Sequence, residues 1–154
     1  MSEFTPSMLL IDKFKTALAF VIEHEGGDVY TVNPADPGGA TRYGISKKAY
    51  PDLDIAHLTL AKASEIYYRD FWSRCHVDDY DYPIALAVFD SAVNCGVSKA
   101  QEWARECHGC AEKVLFLRTM HYMKLIQKNT KLKLFINGWL NRIVDCFEEG
   151  KRYE

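Results

Sequence analysis

The sequence predicts a mainly α-helical fold with one small β-hairpin lobe after its first helix. Three observations predict it. Apolar residues recur at helical spacing over most of the 154-residue chain. The run EHEGGDVYTVNPADPGGATRYGI, from Glu23 to Ile45, breaks that period with glycines and prolines. The segment IALAVFDSAVN, from Ile84 to Asn94, is apolar nearly all round and belongs in the middle of a core. A chain of this length favours a single domain.

Each element has a local reason. Thr5-Pro6 is an N-cap followed by proline in the first turn, and Leu10, Phe14, Leu18 and Val21/Ile22 then recur at helical spacing. Gly26-Gly27 ends that helix and leaves Glu25 on its last turn. Val29 to Val32 has the composition of a short strand, and Asn33-Pro34 and Asp36-Pro37-Gly38-Gly39 are turn signals, so a small irregular hairpin follows. Thr59 caps a helix over Leu60–Trp72, with Ala63, Ile66, Tyr67 and Phe71 as its apolar side. Pro83 opens the apolar helix, which ends at Gly96. Ser98 caps a third stretch that continues, with a break at Gly109, to about Lys128. The last helix spans roughly Lys131 to Glu149, and its face of Leu132, Phe135/Ile136, Trp139, Ile143 and Phe147 reads as core.

Charge and composition exclude several function classes. Net charge is −2 and the pI is near 6.2, which is no electrostatic footprint for nucleic acid. The same mild acidity argues against strong non-specific binding to anionic membranes or wall polymers. No window approaches the roughly 18 uninterrupted apolar residues of a membrane span, so no stable membrane insertion is expected. The N-terminus lacks a basic region and a small-residue cleavage site, so synthesis in the cytoplasm without a signal peptide is expected. Five cysteines, an odd number, read as reduced thiols. Cys107-His108-Gly109-Cys110 lacks two further zinc ligands and a thioredoxin-like setting, so neither a metal nor an organic cofactor is expected.

A carboxylate at a helix end against a Gly-Gly bend can form the wall of a cleft. The partial negative charge of a helix C-terminus disfavours ionisation there, which suits Glu25 to donate a proton. Asp36, in a turn rich in backbone N–H groups, would be pushed the other way. Two carboxyls with opposed environments suit glycoside hydrolysis, and Thr41 could hold a water. On spacing alone, a glutamate at a helix end followed by Gly-Gly is usually solvated, and an Asp-Pro-Gly is usually just a turn. Asp90 and Asn94 share a face of the apolar helix: either they line a cleft floor and bind a sugar's N-acetyl group, or they tie the hairpin to the helical body. Tyr30 and Tyr43 either stack on sugar rings or simply pack.

Together HEGG, NPADPGGATRYGI, YYRDFW and VFDSAVNCG resemble the N-acetylmuramidases of glycoside hydrolase family 108. The run RTMHYMKLIQKN…FINGWLNRI is similar to the C-terminal, peptidoglycan-binding-type segment that accompanies this block. The resemblance implies a lysozyme-like α+β fold over residues 1–154, with a catalytic block of about 8–96 and a C-terminal helical segment of about 97–150. It places the family's catalytic glutamate on Glu25. Glu23, two positions earlier, points to a different side. The Glu25, Asp36, Thr41 arrangement also looks like the Glu…Asp…Thr constellation of phage-type lysozymes, with eleven positions between the carboxylates and five from Asp36 to Thr41. The carboxylate interval is a little longer than in that pattern, and Asp28-Val29 precede Tyr30 where the family has tyrosine directly after the two glycines. In the C-terminal pattern, Arg142 is implied to pair with an acid at the helix end.

The implied activity is cleavage of the β-1,4 bond between N-acetylmuramic acid and N-acetylglucosamine in peptidoglycan glycan strands by a monomer. A phage or prophage endolysin released by a holin, or an effector passed through secretion machinery, fits that reading. A lytic transglycosylase and a non-catalytic wall-binding or secretion-accessory protein are the alternatives.

Overall fold

The computed structural model describes residues 6–32 and 39–153, with side chains from residue 13 onward. Thr5 and the turn residues 33–38, Asp36 among them, lie outside the described residues, as does the side chain of Leu10. Among the described residues six helices build one core: α1 Pro6–His24, α2 Leu60–Tyr67, α3 Tyr82–Cys95, α4 Val97–Cys107, α5 Ala111–Lys128 and α6 Ile136–Lys151. Three short strands follow α1: β1 Thr31–Val32, β2 Ala40–Arg42 and β3 Ile45–Ser46. The fold is mainly helical with a small β lobe, as the sequence predicts.

α3 is the centre. Ala85 to Ala92 are all buried, and α1, α4, α5 and α6 all pack on this helix. One continuous core runs from Ala17 through α3 to Cys146, so the C-terminal helices share it with the N-terminal half. Around α3 the aromatic rings of Phe14, Trp72, Phe89 and Tyr67 meet edge-on, at centroid distances of 5.1 to 6.2 Å. The Trp72 indole N–H donates to Asp78 at 2.7 Å, which satisfies the one polar atom of a fully buried ring.

The sheet is antiparallel in the order β1-β2-β3, with Thr31 opposite Thr41 and Arg42 opposite Ile45. The two residues between β2 and β3, Tyr43 and Gly44, both have positive φ (52° and 74°), the pattern of a type I′ hairpin turn. β1 falls within the expected strand segment; β3 extends the expected hairpin to three strands.

Several helix readings shift. The Thr59 cap holds, accepting from the Lys62 N–H at 3.2 Å, but the expected Leu60–Trp72 helix widens into a π turn over Tyr68–Trp72. Ser98 caps nothing: α4 starts one residue earlier, directly after Gly96, whose φ of 90° makes the corner. The expected last helix opens instead as a 3₁₀ segment, Thr130–Phe135, none of which is buried. Its apolar face is only partly core. Ile143 packs on the core and Trp139 stacks on Tyr122 at 4.5 Å, but Phe135 and Phe147 are exposed.

Candidate active site

Glu25 is the first residue beyond α1. Its N–H still reaches the carbonyls of Val21 and Ile22, and Gly27 N–H closes the end on Ile22 at 2.9 Å. Gly26 and Gly27 both take positive φ, which turns the chain away and leaves the Glu25 side chain at the helix end, 25% exposed. The β2–β3 turn lies directly on it. A Cβ added to Gly44 would fall 2.6 Å from Glu25 Cβ and 2.5 Å from the Tyr67 hydroxyl, so only glycine fits there. Tyr43 N–H donates to Gly27 O at 3.1 Å, and the Tyr67 hydroxyl donates to Tyr43 O at 2.8 Å. The hairpin is thereby pinned to the end of α1 and to α2. Burial, and then the nearby Glu25 charge, push the Tyr67 hydroxyl up from its ordinary value, so it remains a donor.

On its other side Glu25 meets charge. Arg142 of α6 donates to Glu25 Oε1 at 2.6 Å, and its Nε and Nη2 both reach Asp90 Oδ1, at 3.0 and 2.7 Å. Asp90 Oδ2 accepts from Arg118 of α5 at 2.5 Å, and Arg118 Nε donates to the Tyr122 hydroxyl at 2.8 Å. Asp90 and Arg118 are both 0% exposed. Burial alone would push the Asp90 carboxyl up; the charges and hydrogen bonds of Arg118 and Arg142 outweigh it and hold the carboxyl below its ordinary value. Burial would likewise lower Arg142, and Asp90 with Glu25 more than reverse this. The result is a line of alternating charge, Glu25–Arg142–Asp90–Arg118, that joins the end of α1 to α6, α3 and α5.

The pairing of Arg142 with an acid at the helix end is as the sequence pattern implied, and Glu25 is that acid. The cleft-floor reading of Asp90 is corrected: the residue touches no solvent, because both its oxygens are taken by guanidinium groups. Asn94, one turn on, is exposed and returns its amide to Asp90 O at 3.0 Å. Tyr43 is corrected too. It is 7% exposed and packs in the core, so its ring offers no open stacking face, whereas Tyr30 is 46% exposed. Thr41 sits mid-strand in β2, three residues from Gly44, hence within about 10 Å of it even in a fully extended chain. Glu23 instead lines a groove of about 480 Å³ with Phe20, His24, Asp145, Glu148 and Glu149.

The β lobe has its own ion pair: Arg42 donates to Asp28 at 2.6 Å and to Ala56 O at 2.6 Å, and the Arg42 hydrogen bond holds Asp28 below the ordinary carboxylate value. Sequence reasoning passed over Arg118 and Tyr67. A signal for Arg118 did exist. It shares the buried face of α5 with Val114, Leu115, Tyr122 and Ile126, and a cation on one apolar face needs an anion on another, which Asp90 supplies. The five cysteines are free; Cys107 is buried and donates to Ala104 O, whereas Cys110 is exposed.

The family described as Glycosyl hydrolase 108 has a sequence model that matches residues 18–96. That block holds Glu25, the β lobe and Asp90, while Arg118 and Arg142 come from the helices beyond it. The solved structure titled "Structure of Brucella abortus SagA" superimposes with a TM-score of 0.73 over 93% of this chain and 96% of that one, at 22% identity, which shows a shared fold. No curated protein matches.

Proposed function

The chain belongs to the glycosyl hydrolase 108 family, and from that premise we propose that it is an N-acetylmuramidase cutting the β-1,4 bond between N-acetylmuramic acid and N-acetylglucosamine in peptidoglycan. Family membership supports peptidoglycan hydrolysis of the muramidase kind. The observation that carries the assignment of residues is the setting of Glu25, a quarter exposed at the end of α1, beneath a glycine that leaves room for nothing larger. Arg142 occupies Oε1, which leaves Oε2 as the oxygen to face the scissile bond in this reading. Glu25 protonates the leaving oxygen through it. Asp36 and Thr41 hold and activate the attacking water. Tyr30 offers an exposed ring to a sugar, and Asn94 an exposed amide to an acetamido group.

No helix among the described residues is long and apolar enough to cross a membrane. The monomeric enzyme is made in a bacterial cytoplasm and reaches the wall through a holin or secretion machinery, as a phage or prophage endolysin does. The water-handling pair implies a single displacement, with about 6.5–9.5 Å between the carboxyls and inversion at the anomeric carbon. Digestion of purified peptidoglycan tests this. Reducing muropeptides whose first-formed ends are the α-anomer by NMR are expected. An initial β-anomer would overturn the single displacement, a 1,6-anhydro product would place the chain among lytic transglycosylases, and no product would make it a wall-binding or accessory protein.

A further inference from the structure

The net charge of −2 conceals a strong segregation. Between Lys113 and Val144 there are seven Lys and Arg and no Asp or Glu, which leaves 12 basic and 21 acidic residues for the rest of the chain. Arg118 and Arg142 turn inward to Asp90, and the five lysines, Lys113, Lys124, Lys128, Lys131 and Lys133, are exposed. Burial lowers the His121 imidazole, and the charges of Lys99, Lys124 and Lys128 lower it further, a local sign of the positive field.

Among these lysines the surface is apolar. Phe116, Met120 and Met123 recur at one-turn spacing along the outside of α5, and Leu140, Val144 and Phe147 do so along α6, all of them exposed. The 3₁₀ segment joining the two helices carries Leu134, 86% exposed, and Phe135, 54% exposed, beside Lys131 and Lys133. The helices lie side by side in antiparallel order: Tyr122 stacks on Trp139, and Leu115 shares a small hollow with Cys146. Glu112, one turn before Phe116 on the same stripe, lines that hollow together with Phe147, so the two stripes meet on one face. The acids that follow Val144 look elsewhere. Asp145 bonds His24, and Glu148 and Glu149 line the groove with Glu23.

We propose that this α5–α6 face is a docking surface for an anionic phospholipid bilayer, with the apolar side chains at headgroup depth and the lysines on the lipid phosphates. Charge complementarity selects this occupant. A second copy would bring the same five lysines against each other, and a glycan has no apolar interior to receive Leu134, Met120 or Val144. A basic amphipathic surface of this composition is the kind that lies in a membrane interface without spanning it. Arg142 is two residues from both Leu140 and Val144, hence on the opposite side of α6, so docking leaves Glu25 uncovered. The inference does not depend on the hydrolase reading.

Co-sedimentation of the full chain with vesicles of phosphatidylglycerol and phosphatidylethanolamine, and with vesicles of phosphatidylcholine alone, tests it. Binding to the anionic vesicles is expected at low salt, weakening as salt rises, with little binding to phosphatidylcholine. Lys131→Glu combined with Lys133→Glu, and Leu134→Ser, change exposed side chains and are expected to weaken binding at least tenfold with unchanged melting temperatures. Equal pelleting on both vesicles, or variants that bind like the parent, would overturn the proposal. So would a concentration-dependent dimer abolished by Leu134→Ser, or binding to purified sacculi but not vesicles that these variants lose.

Discussion

Glu25 stands between two walls of opposite character. The helical wall reaches it through Arg142, Asp90 and Arg118, with Asp90 and Arg118 fully buried and every Asp90 oxygen taken. The β-lobe wall is made of strands two or three residues long, and its ion pair, Asp28–Arg42, has an Asp28 side chain 57% exposed. Buried charges hold geometry because leaving one unpaired is costly, while an exposed pair is screened and weakly directive. We propose that the tasks divide along this difference: Glu25, the proposed proton donor, hangs from the firm helical wall, and Thr41, proposed to handle water, belongs to the more exposed β lobe.

The largest effect on stability should come from Asp90→Asn, which leaves two guanidinium groups facing a neutral amide in the core. Breaking such a buried pair costs about 3–5 kcal/mol, which at this size lowers the melting temperature on the order of 10 °C. The sign with pH follows from the depressed Asp90 carboxyl. Its contribution is present above the unfolded value of about 4 and is lost as pH falls through the lower folded value. Melting temperatures of parent and variant should therefore differ constantly above about pH 5 and converge below about pH 4. A gap unchanged down to acid pH would remove Asp90 from the charge line.

Arg142→Lys comes next. A lysine keeps the charge but cannot hold Asp90 and Glu25 at once with the same fork. Turnover should fall by about 10²-fold from misplacement of the acid, with KM changed much less and stability lowered less than by Asp90→Asn. Equal losses in KM and turnover would argue for a substrate contact instead. The smallest effect belongs to the other wall: Arg42→Gln, at an exposed and screened pair, should leave the melting temperature within experimental scatter. A clear drop would show that the lobe is held as firmly as the helices.

What was legible in the sequence had local causes. The Gly-Gly end of α1, the Thr59 cap and the wholly apolar α3 each carry their signal within a few residues, so Glu25 was placed within one residue of its position. The Asp90–Arg118 pair was not legible in the same way, since its partners are 28 residues apart and meet only when α3 and α5 pack. For Tyr43 the sequence left stacking and packing open, because a tyrosine in a glycine-rich turn suits either; the ring is 7% exposed and packs. The last helix misled because an amphipathic stripe announces burial without saying against what. Its apolar outer face, with Phe147 38% exposed, is shared with α5 and has no covering element among the described residues.

The central claim is that Glu25, held by the helical wall, is the acid. The most direct measurement compares lysis of outer-membrane-permeabilised cells by Glu25→Gln and Glu23→Gln, with melting curves recorded for both. Glu25→Gln keeps the carbonyl that Arg142 can bond but removes the proton donor, so lysis should fall by about 10²–10⁴-fold with the fold intact, while Glu23→Gln keeps most of its activity. Retained lysis by a folded Glu25→Gln, or the reverse order of the two variants, would contradict the account.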